Sequence, residues 1–176
     1  MIKLKQYYQK PSLCGPVSLK MVMDYYGVVA TENEIAEIAG STLEDGTSIA
    51  GMIKAANHFG FKVIKKEYAT IKDLEDHVDK DIPVIVNWFL DDWGHYSVVV
   101  DVTKNNIILM DPALKKILIY VRKRILPIKK FLHVWFDFEG QMINNPKDLM
   151  IRLMLVLVPE KEKPEINEKS LIATEI

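Results

Sequence analysis

The chain has one cysteine, Cys14, in 176 residues, so no disulfide can form within it, and a reducing compartment would leave the thiol free. Nowhere does an apolar run approach the ~20 residues that a membrane-spanning helix requires. The opening Met1-Ile2-Lys3-Leu4-Lys5-Gln6 also lacks the continuous apolar stretch of a signal peptide. These absences set the expectation of a cytoplasmic protein with no membrane span. An excess of either charge is missing too. The 23 Lys and Arg against 24 Asp and Glu leave a net charge of -1, which gives no footprint for nucleic acid. Lys115, Lys116, Arg122, Lys123, Arg124, Lys129 and Lys130 do cluster, and they read as a solvated face. One cysteine and four dispersed histidines make no ligand set, so neither metal nor cofactor is expected.

What is present is the ordinary mix of a globular domain, with 49% hydrophobic and 27% charged residues. The first half carries helical signals. Pro16 suits the first turn of a helix that continues through Val17, Leu19, Met21, Val22 and Tyr26 and closes at Gly27. Thr31 to Glu34 has the form of a capping box, Gly46-Thr47-Ser48 opens a further helix, and Thr70 to Asp73 caps another. The second half shifts to runs of strand length at Val84–Phe89, Tyr96–Val102, Ile107–Met110, Ile117–Val121 and Ile151–Val158, with a short helix over Pro127–His133. Helices followed by strands predict an α+β domain with a largely antiparallel sheet over residues 1–158. Residues 159–176 read as a charged tail with too little apolar content to bury.

Cys14 stands just before Gly15-Pro16, at the mouth of the first helix. A free cysteine is most often a small buried hydrophobe. At a helix N-terminus, however, it meets the positive end of the macrodipole and free backbone N–H groups, which favour a thiolate and can hold an oxyanion. Such a nucleophile needs a base, and the base needs a group to orient it. His58 and His77 fall within helices and His133 in a basic, aromatic segment, whereas His95 follows Asp91-Asp92-Trp93-Gly94 and begins a strand. Read alone, it serves equally well as a turn residue. Asp111 ends the next strand and Pro112 stops further pairing, although Asp-Pro after a strand is also a common turn.

In order along the chain, Gln9, Cys14-Gly15-Pro16, Tyr25-Tyr26-Gly27, Gly46-Thr47-Ser48, Pro83 to Trp88, Gly94-His95-Tyr96-Ser97 and Leu109-Met110-Asp111-Pro112 together resemble a known family. It is that of the papain-like bacteriocin-processing peptidases, which cut after a double glycine in leader peptides, and their broader relatives in cysteine-peptidase family thirty-nine. The resemblance implies a papain-like fold and thiol-dependent hydrolysis of a peptide or protein. It makes Cys14 the nucleophile, His95 the general base and acid, and Asp111 the orienter of His95. An upstream glutamine supplies an oxyanion donor. The family's usual spacing falls here on Tyr8, between Gln6 and Gln9, and Gln9 is preferred because a loop shortened by one residue is easily absorbed. Trp88, Trp93 and Gly94 lie before His95 and are candidate walls of a substrate cleft, with core packing equally open for Trp88. A silent peptide-binding module of the same fold and a thiol acyltransferase are the alternatives.

The triad also makes a demand on register. A two-residue turn at Asn105-Asn106 would leave Asp111 on the wrong face and roughly 16 Å along the strand from His95. A three-residue turn over Thr103-Lys104-Asn105, or a bulge between Val102 and Ile107, would instead make the two residues diagonal neighbours on one face.

Overall fold

Apolar periodicity fixes which residues must turn inward, and the backbone follows it. The computed structural model describes residues 1–114, 123–138 and 142–160. Among them are the helices α1 (Cys14–Tyr25), α2 (Glu32–Ala39), α3 (Ile49–His58), α4 (Ile71–Val78) and α5 (Ile128–Val134). The strands are β1 (Phe61–Lys66), β2 (Val84–Leu90), β3 (Trp93–Val102), β4 (Asn106–Met110), β5 (Arg124–Pro127), β6 (Phe136–Phe138), β7 (Leu149–Ile151) and β8 (Met154–Pro159).

The local signals act where they were read. Thr31 and Glu34 form a reciprocal capping box on α2, as do Thr70 and Asp73 on α4, so donors at each helix start are satisfied by side chains. Ser48 Oγ accepts from Gly51 N at 3.1 Å to start α3. Gly27 and Gly40 end α1 and α2 at φ +82° and +68°, where a side chain would be strained.

A six-stranded sheet runs in the order β1-β8-β2-β3-β4-β5, with every neighbouring pair antiparallel, while β6 and β7 form a separate hairpin. The middle strands β2 and β3 carry Val84, Ile85, Val86, Val98, Val99 and Val100, all fully buried. α1 and α4 pack on β3, and α5 packs against β2, β4 and β5. Each large side chain buried here, such as Leu19, Met52, Phe61 or Phe131, contributes about 1.5–3 kcal/mol by leaving water. The first residues strap this unit together: Ile2 N donates to Val100 O at 2.8 Å, and Gln9 N to Pro112 O at 3.0 Å.

Two expectations change. The run Ile151–Val158 is two strands, because Arg152 turns left-handed at φ +51° and donates its N–H to Trp135 O at 3.0 Å. That break hands β7 to the small hairpin and β8 to the main sheet. Trp93 and Gly94, read as loop, already belong to β3, because Leu90 pairs with Trp93 across the tight turn Asp91-Asp92, with Asp91 left-handed at φ +54°. The expected strand Ile117–Val121 and the tail beyond Glu160 lie outside the described residues.

Candidate active site

The site forms where the first turn of α1 meets the start of β3 and the end of β4. Cys14 is the first residue of α1, and its N-cap, Leu13, makes no side-chain capping bond, so free N–H groups remain at the helix mouth. Gly15 allows α1 to come close to α3: a β-carbon there would lie 2.8 Å from Met52 Sδ and 3.0 Å from Thr47 Cβ.

His95 and Asp111 meet through a register device inside β3. The turn is the two-residue Lys104-Asn105, closed by Thr103 N donating to Asn106 O at 2.8 Å. Val102 therefore pairs with Ile107 and Asp101 with Ile108, but Val99 pairs with Leu109 and Val98 with Met110. Val100 is the extra residue, a bulge within the strand. Carried forward, this register sets Asp111 opposite Ser97 and on the same face as His95. The expected bulge between Val102 and Ile107 is thus displaced into the body of β3, and the turn itself is even. Bulges of this kind are frequent beside functional sites, where they re-aim a side chain.

His95 Nε2 donates to Asp111 Oδ1 at 2.7 Å, and both residues are buried, Asp111 completely. Asp111 Oδ1 also accepts from Ala113 N at 2.9 Å, and Asp111 Oδ2 accepts from Arg124 Nε at 2.5 Å. Cys14 acts on His95 as well, its side-chain hydrogen bonding and charge favouring the protonated ring. Burial opposes the charge on His95, yet the hydrogen bonds and charges of Asp111 and Cys14 outweigh it and raise its pKa to about 9. Burial likewise opposes the charge on Asp111, but His95, Ala113 and Arg124 together hold its carboxyl below the usual range. The result is a cysteine facing a histidine that stays protonated at neutral pH, backed by an ionised carboxylate.

Other candidate residues fall in different places. Gln9, tied by its backbone to Pro112, stands beside the Asp111 end of the site, and its Oε1 is buried with no hydrogen-bond partner among the described residues. Gln6 Oε1 accepts from the Tyr8 hydroxyl at 3.4 Å. Trp93 is 76% exposed beside the site, and Gly94 is exposed with the Asp137 carboxylate against its α-carbon, so a side chain there would collide. Trp88 is no cleft wall. It is only 2% exposed and lies behind His95, edge-on to that ring at 5.7 Å, with its Nε1 donating to Ser97 Oγ at 3.1 Å. A large aromatic in a strand buried on both faces is drawn into the core.

Arg124, expected on a solvated basic face, is instead a partner of Asp111. Lys129 and Lys130 are exposed as expected. His58 and His133 are exposed as well, and His77 Nδ1 bonds the Asp73 carbonyl within its own helix. An apolar cleft of about 530 Å³, lined by Leu132, Trp135, Phe136, Leu149, Ile151 and Arg152, contains none of the site residues. No helix among the described residues is long and apolar enough to cross a membrane.

With this geometry in place, the comparisons fall on the same region. The sequence model of the Peptidase C39 family matches residues 5–125. An uncharacterized protein of Methanothermobacter thermautotrophicus is 37% identical over 106 residues, which are 59% of this chain and 68% of that one. The transport/processing ATP-binding protein ComA of Streptococcus pneumoniae is 34% identical over 142 residues, 76% of this chain but only 18% of that much longer protein. Among solved structures, a double glycine motif protease from an AMS/PCAT transporter, in complex with the leader peptide, superposes with a TM-score of 0.62 at 19% identity, covering 89% of this chain and 92% of that one.

Proposed function

Because the chain belongs to the Peptidase C39 family and is thereby a cysteine peptidase, we propose that it cleaves a peptide through Cys14, His95, Asp111 and Gln9. The observation that carries this reading is His95 hydrogen-bonded at once to Cys14 and to the buried Asp111. Proton transfer from Cys14 to His95 leaves a thiolate facing an imidazolium, and the His95 pKa of about 9 keeps the imidazolium protonated at neutral pH. The thiolate attacks the scissile carbonyl carbon. The developing oxyanion is held by the Cys14 backbone N–H and the Gln9 side-chain amide, and His95 protonates the departing amine. Water, deprotonated by His95, then releases the acyl group from sulfur.

The substrate class follows from size and likeness. A site flanked by Gly94 and an exposed Trp93 suits an extended segment of small residues. The similar solved protease is described as a double glycine motif protease bound to a leader peptide, and ComA as a transport/processing protein. A peptide cut after Gly-Gly is therefore the substrate proposed. A free thiol as the working group also fits the reducing cytoplasm.

The test is iodoacetamide labelling of the full chain at neutral pH, read by mass spectrometry, beside hydrolysis of a double-glycine peptide. Cys14 should label faster than a free model thiol and slow down in His95→Ala. Gln9→Ala should lose ~10²–10³ in turnover, with Gln6→Ala near wild type. Equal labelling rates with and without His95 would overturn the ion pair, and loss on Gln6→Ala alone would move the oxyanion role.

A further inference from the structure

We propose that Arg124 is a positioning residue of this site, the counter-charge that holds Asp111 ionised and aimed at His95. The inference rests on the peptidase reading above and deepens it. Asp111 is fully buried with two oxygens in different roles: Oδ1 takes His95 and Ala113 N, and Oδ2 takes Arg124 Nε.

Charge balance shows why a cation belongs there. In the reactive state Cys14 is negative, His95 positive and Asp111 negative, which leaves one net negative charge in a buried cluster. An unbalanced buried charge is costly, and the usual response is neutralisation of the group. Protonating Asp111 would remove the acceptor that orients His95. Arg124 cancels the excess and cannot itself lose its proton under ordinary conditions, which a lysine can.

The side chain is also held in place from two directions. Leu109 pairs with Arg124 across β4 and β5, which brings the guanidinium to the carboxylate at the end of β4. Its Cζ sits 5.6 Å from the Trp88 ring centre, and Trp88 in turn lies edge-on to His95 and is anchored to Ser97. The indole therefore supports both ends of the Arg124–Asp111–His95 row, which explains why so large an aromatic is buried there. The groups acting on His95 are Cys14 from α1 and Asp111 after β4, with Arg124 of β5 acting through Asp111 and Asp137 of β6 lying against Gly94.

The experiment compares Arg124→Gln and Arg124→Lys in the full chain. Two readouts are used: NMR titration of the His95 ring, which needs no substrate, and steady-state hydrolysis of a double-glycine peptide. Without its counter-charge Asp111 is no longer held ionised and aimed, and His95 loses the carboxylate that raises its pKa, so in Arg124→Gln the His95 titration should move below its wild-type midpoint. Turnover should fall about tenfold or more with KM within twofold. Arg124→Lys should restore most of the titration midpoint and only part of the turnover, because a point charge replaces a planar fork set over the Trp88 ring. If His95 titrates unchanged in a folded Arg124→Gln, Arg124 is a packing residue only and the proposal fails. If the titration shifts while no variant or wild type cleaves the peptide, the Arg124 assignment stands and the substrate reading fails instead.

Discussion

The two walls of the site are built by different physics. The Cys14 wall is a helix start held by close contact: Gly15 lies against Thr47 and Met52, and the rest of α1 fills the core with Val17, Leu19, Met21, Val22 and Met23. The His95 wall is a pair of strands held by a buried polar row, Cys14–His95–Asp111–Arg124, whose members are nearly all ionisable. Contact by shape is indifferent to pH and sensitive to a single methyl group. A charged row is the reverse: it tolerates nothing that breaks its alternation, and it answers to protons. The proposed nucleophile, which must hold its place, and the proposed base, which must change charge, are each served by the wall they sit on.

The sharpest break in that contrast is Asp111→Ala. It removes the acceptor of His95 and strands Arg124, and turnover should drop about 10⁴-fold, as when the orienting carboxylate of such a triad is lost. The His95 titration midpoint, raised to about 9 in the wild type, should fall, because burial then acts against only one remaining partner, Cys14. Wild-type turnover with a lowered midpoint would show that His95 needs no orienter.

A smaller effect separates the walls directly. Gly15→Ala pushes a methyl group toward Met52 Sδ and Thr47, and overpacking of this kind costs typically 1–3 kcal/mol. The loss should be the same across the pH range, because no titrating group is involved. The His95 wall behaves otherwise. A folded-state pKa raised from 6.5 to about 9 adds stability that is complete below about 6.5 and lost as pH rises through about 9. The carboxyl of Asp111, held low, adds stability that is lost instead as pH falls below the usual carboxylate range. Thermal melts of wild type and Gly15→Ala at pH 6 and pH 9.5 should therefore show a constant gap between the two proteins and a shared decline at the higher pH. A gap that changed with pH would mean that the helix wall is coupled to the charged row.

The sequence exposes these walls unequally. Thr31, Ser48 and Thr70 cap helices by bonds to residues three positions on, and Gly27 and Gly40 stop them by their own backbone freedom, so each signal sits beside its effect. Cys14 belongs to that class, and its place at a helix start is legible. The bulge is not, because it falls in Val98-Val99-Val100, where nothing distinguishes the extra residue from its neighbours. Only the requirement that Asp111 reach His95 betrays that a shift must occur somewhere, and that requirement misplaces it by a few residues. Arg124 is hidden for a different reason. It stands among basic residues of similar appearance, and its partner lies 13 positions back, across a strand pair. Trp88 shows the same limit, since an aromatic before a turn reads as readily for cleft as for core until burial decides.

The smallest effect expected concerns the turn itself. Were the Lys104-Asn105 turn to set the register, inserting one glycine between them would slide β4 by a residue and carry Asp111 to the opposite face, with the loss seen for Asp111→Ala. The structure argues against this. On the far side of Val100, Val98, Val99, Leu109 and Met110 are all buried, and Ile2 N is tied to the carbonyl of the bulged residue itself. Slipping the strand would turn those side chains outward, and fully exposing even one costs about 1.5–3 kcal/mol. Lengthening a short exposed turn costs less, since closure entropy grows only slowly with length. The inserted residue should therefore be absorbed in the turn, at the expense of the Thr103–Asn106 bonds. Turnover should stay within a few-fold of wild type and the melting temperature should fall by no more than a few degrees. A ~10⁴-fold loss in a folded insertion variant would show that the turn dictates register and that the bulge merely follows it.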